Sequence, residues 1–173
     1  MSLSLSRLTR RQRTRVLPIL LCCAQMMLSS VATNAQSASP FTKFFGAWRG
    51  SGKVLTTDGN SERIRCTATY AAESGGQSLS QELICASDSY RVDVRSFIVA
   101  DGQSVQGHWE ESVRQASGHL DGQIVEGRFE GKISGPGFEA GMSLVSTGSR
   151  QTILITPVGV SISRIEVALS RRS

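Results

Sequence analysis

The chain has 173 residues, with 19 Lys and Arg against 14 Asp and Glu, a formal charge of +5. Five of the basic residues, Arg7, Arg10, Arg11, Arg13 and Arg15, cluster near the start, and the rest of the chain is formally neutral. The overall charge is therefore no argument for nucleic acid, whose binding needs a basic face.

Residues 1–35 have the organisation of an export signal. A basic stretch without acids is followed by the mainly apolar run Val16 to Met27, then by small residues ending at Thr33-Asn34-Ala35. Cleavage is expected after Ala35, giving a periplasmic or secreted chain that starts at Gln36. The apolar run is shorter than the roughly 20 residues of a span and is broken by Pro18 and Gln25, so no transmembrane span is expected in the mature chain. Of the four cysteines, Cys22 and Cys23 lie in this segment. Cys66 and Cys85 remain, and an even count in an exported chain reads as one disulfide.

Residues 36–40 read as a small polar linker and residues 41–173 as one domain. Phe41 to Phe45 is expected to form a short helical turn. Beyond it, β-branched residues alternate with polar ones, and Gly, Asp and Ser clusters interrupt them about every ten residues. Turns are predicted at Asp58-Gly59-Asn60, Gly75-Gly76, Ser87-Asp88, Asp101-Gly102, Gly148-Ser149 and Pro157-Val158-Gly159. The pattern predicts an all-β antiparallel meander of about 8–10 strands, closed into a barrel or folded into a sandwich.

One hairpin can be registered from the sequence. A two-residue turn at Gly75-Gly76 sets Ala72 opposite Leu79, Tyr70 opposite Gln81, Ala68 opposite Leu83 and Cys66 opposite Cys85. Side chains alternate, so these share one face, with Arg65, Thr67 and Thr69 on the other. The two cysteines would form the wider, hydrogen-bonded kind of cross-strand pair, within reach of a disulfide.

The region from Gln103 to Leu144 carries a weak repeat: Gly107-His108-Trp109-Glu110, Gly118-His119-Leu120-Asp121, Gly127-Arg128-Phe129-Glu130, and a reduced fourth copy, Gly137-Phe138-Glu139. In strands, Gly107, Gly118 and Gly127 face inward with Trp109, Leu120 and Phe129. A glycine beside a large apolar residue leaves interior volume or lets the sheet bend sharply. These six residues are the candidate ligand-binding set.

Other chemistries find little support. Gly50-Ser51-Gly52-Lys53 lacks the spacing of a phosphate loop: Ala47 stands where its first glycine belongs, and Val54 where Ser or Thr belongs. No Gly-x-Ser-x-Gly elbow occurs. Glu110 and Glu111 are adjacent, so in a strand they face opposite ways. His108 and His119 hold equivalent repeat positions but read as outward and solvated rather than as metal ligands. No metal, cofactor or catalytic residue is assigned, and an enzyme is the less favoured reading.

Gly46-Ala47-Trp48, entering the first strand after an aromatic turn, resembles the opening of the calycin superfamily of lipocalin-like barrels. The resemblance implies that Trp48 closes one end of the barrel under an arginine from near the last strand. Arg164 is the expected partner, because Val160, Ile162 and Arg164 share a face before the apolar phase flips to Ile165, Val167 and Leu169, the mark of a bulge. Stacking on Trp48 would offset burial of its charge. The runs GAWRGSG and CASDSYRVDVRS also resemble small exported alphaproteobacterial proteins of unknown function. The functional expectation is a binding module for a small apolar or amphipathic ligand held beside Trp109, Leu120 and Phe129. The alternative is an envelope protein-binding factor or an inhibitor of an exported enzyme, since bacterial protease inhibitors of lipocalin-like shape also combine Gly-x-Trp with one disulfide.

Overall fold

A computed structural model describes residues 38–172. The expected signal, residues 1–35, lies outside the described residues. Ten antiparallel strands follow one another: β1 (Gly46–Thr56), β2 (Ser61–Glu73), β3 (Ser78–Ala86), β4 (Arg91–Asp101), β5 (Ser104–Glu111), β6 (Ala116–Val125), β7 (Arg128–Gly135), β8 (Phe138–Thr147), β9 (Arg150–Val158) and β10 (Ile162–Arg171). Each pairs with the next, and β1 also pairs with β10, so the sheet closes into a lipocalin-like barrel. Alternation decides which face is inside. In β2, Ile64, Cys66, Ala68 and Tyr70 are buried, while Arg63, Arg65, Thr67 and Thr69 are exposed.

The β2–β3 register is as expected, with Cys66 opposite Cys85 and Tyr70 opposite Gln81. The connection is longer than two residues, however: Glu73 pairs with Ser78, and Ser74–Gly76 makes a short 3-10 turn with Gly75 and Gly76 both at positive φ. This puts the ladder in the other hydrogen-bonding phase. Cys66 and Cys85 form their disulfide across a Cα–Cα distance of 4.1 Å, the closer, non-hydrogen-bonded kind of pair. Both sulfurs belong to the core.

Two further expectations are corrected. Pro40–Phe44 is a run of turns, with Thr42 N–H bonded to Ser39 O and Phe44 N–H to Phe41 O, rather than a helical turn. Ser39, placed in the linker, already hydrogen-bonds the Gly76 carbonyl through its hydroxyl. Gly127 lies in a turn and not on an inner strand face: Val125 pairs with Arg128, leaving Glu126 and Gly127, at φ 51° and 86°, as a two-residue connection.

Candidate functional site

The two ends of the barrel differ. At one, the turn before β1 is a plug. Phe41 and Phe44 are buried, and Trp48 is 0% exposed, its indole N–H donating to Phe44 O at 2.7 Å. The guanidinium of Arg171 lies 4.2 Å from the Trp48 ring centroid and donates to the carbonyls of Phe45 and Lys43. Lys43 Nζ donates to Glu126 O at 2.7 Å and Ser146 Oγ to Lys43 O at 2.7 Å, tying the plug to the β6–β7 turn and to β8. Deeper in, the Tyr70 hydroxyl donates to Gln151 Oε1 at 2.9 Å. Burial holds that hydroxyl far above the usual tyrosine pKa, so it stays a donor.

The arginine over Trp48 is thus Arg171, not Arg164. The bulge is present, since Leu55 pairs with Arg164 and Thr56 with Ile162. It turns Arg164 outward, where it pairs with Glu166 at 2.6 Å. The phase that follows, Ile165, Val167 and Leu169, leads on to Arg171. Following that alternation one step past the last apolar residue would have found it.

The interior is nearly filled. A void of about 40 Å³ lies among Phe41, Phe44, Leu79, Ile98, Leu120, Phe129 and Met142, with Tyr70 and Gln81 as polar lining. Leu120 and Phe129 therefore border interior space, whereas Trp109 does not. The candidate glycines leave none free. A Cβ on Gly107 would stand 2.6 Å from Phe97 O, one on Gly118 2.7 Å from the Trp109 ring, and one on Gly127 2.5 Å from the Lys43 side chain. The volume is taken by aromatic rings laid across glycines. Phe129 covers Gly122 and Gly131, which face each other across β6 and β7, and Trp109 covers Gly118 and Gly135. Trp109 also donates to His119 O at 3.2 Å and meets Phe138 edge-on at 6.4 Å. Missing Cβ atoms let the strands approach and the rings lie flat.

At the opposite end no described segment covers the inward side chains. Leu83, Val94, Trp109, Ile133, Phe138, Met142, Ile155 and Ile165 are half-buried there, against full burial of their counterparts near the plug. Met142 belongs to both regions, bordering the void and partly reaching solvent. Glu111 is 6% exposed at this rim and accepts the backbone N–H groups of Asp93, Val113 and Arg114 at 3.2, 2.9 and 2.8 Å. Burial alone would raise its pKa. The three N–H donors and Arg114 outweigh that and hold the carboxyl below its usual range. It fastens the β5–β6 turn and leaves its carboxylate committed. Glu110, next to it, faces out.

On the outer wall, His108 and His119 sit directly opposite each other, a neighbourhood their sequence spacing did not reveal. Both are exposed, and His108 leans on Phe97 at 5.9 Å. No group of three or more His, Cys, Asp or Glu converges among the described residues, so this pair lacks the further protein ligands of a built metal centre.

No family model matches the chain, and no curated protein does. Solved structures share its fold. Rv2717c from M. tuberculosis superposes with a TM-score of 0.61 at 10% identity, over 77% of this chain and 95% of that one. The S-type phycobiliprotein lyase CPES from Guillardia theta gives a TM-score of 0.55 at 10% identity, over 77% and 90%. At such identity the likeness concerns architecture alone.

Proposed function

We infer that this chain is an exported binding module whose barrel takes a small apolar or amphipathic ligand through the end opposite the plug. The observation that carries this reading is Met142. It lines the apolar void and is the one side chain of that lining that is only half-buried, and its unbranched thioether can change rotamer at low cost. The resting void of about 40 Å³ holds only a water or so, against roughly 300 Å³ or more for a drug-sized ligand pocket. Ligand entry therefore requires Met142 to swing aside, and the ligand sits largely at the rim, against Trp109, Ile133 and Phe138, with its tip toward Leu120 and Phe129. Tyr70 and Gln81 would meet any polar group that reached the bottom. The disulfide fits an oxidising compartment and so supports export.

The test is fluorescence titration with an environment-sensitive fatty-acid probe. Wild type should bind it, Met142→Ala should bind more tightly by opening the path, and Trp109→Ala should shift the emission of the bound probe. A folded barrel that binds no probe, with Met142→Ala equally inert, ends this reading. The near-full interior favours the second reading, a protein-binding factor acting through its exposed loops, for which one stoichiometric partner in a pull-down from envelope extract is the expected result.

A further inference from the structure

Six of the fourteen described cations are ion-paired, and the unpaired ones fall in two places, the plugged end (Lys43, Arg150, Arg171 and Arg172) and one wall. Arg91, Arg95, Arg114, Arg128, Lys132 and Arg164 each pair with a carboxylate. Arg49, Lys53, Arg63 and Arg65, all exposed on the outer face of β1 and β2, make no ion pair among the described residues. Lys53 stands directly opposite Arg63, an arrangement in which like charges repel. The acid in register with Lys53 on its other side is Glu166, and Arg164 already holds it. The outer face of β1 and β2 thus gathers four cations without an ion-pair partner, with Asp58 in the turn between the strands and Glu73 at the far end of β2 as the hairpin's exposed acids.

The surroundings narrow the partner. The outward neighbours are short, with Ser51, Thr67, Ala168 and Ser170 forming a low floor rather than a groove. No aromatic side chain stands on the outer face of β1, β2 or β10, so the stacking platform that single-stranded nucleic acid uses is missing. Lys53 and Arg63 lie toward the unplugged end. At that end stand Tyr90 in the β3–β4 connection, Val158 at the close of β9 and, across the barrel mouth, Val113 in the β5–β6 connection, three of the five exposed large apolar side chains among the described residues. The Ser89 amide donates to Glu62 Oε1 at 3.0 Å, which holds the loop of Tyr90 against the start of β2, beside Arg63. Cations with Tyr90 and Val158 to either side, and Val113 on the same end of the barrel, match the boundary between lipid headgroups and acyl chains, whereas a soluble polyanion would engage the cations alone.

We propose that the β1–β2 wall and the unplugged end dock on an anionic lipid bilayer, the cations meeting headgroup phosphates and Tyr90, Val113 and Val158 entering the interface. The docking does not depend on whether the barrel takes a ligand.

The expected mature chain, starting at Gln36, is sedimented with vesicles of phosphatidylcholine, alone or with about a third phosphatidylglycerol, so that the basic and apolar segment of residues 1–35 adds no vesicle binding of its own. Lys53→Gln/Arg63→Gln/Arg65→Gln should weaken partitioning onto the anionic vesicles about a hundred-fold, at about five-fold per cation. Tyr90→Ser/Val113→Ser/Val158→Ser should weaken it as well, and Arg128→Gln/Lys132→Gln, on the charge-paired wall, should leave it unchanged. All these positions are exposed, and matched melting curves confirm that each variant is folded. Wild-type partitioning by the triple cation variant, or equal loss in the control pair, overturns the proposal. So does binding of inorganic polyphosphate as tight as of vesicles with no contribution from the three apolar tips, which would assign the wall to a soluble polyanion.

Discussion

Replacing Arg171 by alanine removes the lid of the Trp48 plug. Two kinds of contact are lost: the guanidinium stacked 4.2 Å from the ring centroid, and its hydrogen bonds to the carbonyls of Phe45 and Lys43. A cation over an aromatic at a partly exposed site contributes about 1 kcal/mol. Each hydrogen bond from a charged donor adds about 1 kcal/mol, discounted for the exposure of this side chain. The expected cost is about 3 kcal/mol, a large share of the stability of a small domain. Urea unfolding reports it, and Trp109→Phe in the background leaves Trp48 as the sole indole. Arg171→Lys keeps the charge but not the planar fork, and should fall between. Arg164→Ala removes only an exposed pair with Glu166 and should cost about 0.5 kcal/mol or less. Equal midpoints for Arg171→Ala and wild type, or equal losses for Arg164→Ala and Arg171→Ala, would refute this account of closure.

Other expectations follow from the same contacts. Glu111→Gln should cost about 2 kcal/mol at neutral pH, because three backbone N–H groups lose a charged acceptor. The carboxyl's folded pKa is depressed below its ordinary value of 4.5, so its contribution is complete above that pH and lost as pH falls through the folded value; chemical denaturation across pH should show that acid-side slope in wild type and not in the variant. Cys66→Ala/Cys85→Ala should lower stability by about 3 kcal/mol, measured against the oxidised protein, since the bridge closes a separation of 19 residues. Gly131→Ala should cost about 3 kcal/mol in a thermal melt, because its Cβ would meet the Asp121 carbonyl and the Phe129 ring.

Much of the barrel is legible from local chemistry. Alternation in β2 names its buried face, and the same count brings Cys66 opposite Cys85 although the connecting turn is longer than it looks. Turns announced by Asp-Gly or Gly-Ser are found, but Ser112-Val113-Arg114-Gln115 carries no such mark. It is held instead by Glu111, whose role appears only once three amides converge on it. Arg164 fits the sequence pattern only as far as the bulge, which turns it outward; the inward alternation resumes beyond the bulge and ends at Arg171. The repeat of glycines with aromatics was a true signal of structure, yet sequence cannot tell an empty glycine position from one roofed by a neighbouring ring. Phe129 over Gly122 and Gly131 is that second case. Met142 has no sequence signature at all, since its place between void and rim depends on the curvature of the whole sheet.

The pairing of β1 with β10 also bears on how the molecule is made. Gly50 lies beside Leu169, about 120 residues later, so the last ladder closes against a large loop entropy and is the slow one. Until β10 is in place, β1 and β9 are both bare edges, each able to add a strand from another copy. The nine-strand state is thus the one most exposed to aggregation. Growth of the chain has to reach Arg171 before Trp48 can be sealed, so a truncation inside β10 should leave inclusion bodies rather than a weakened barrel.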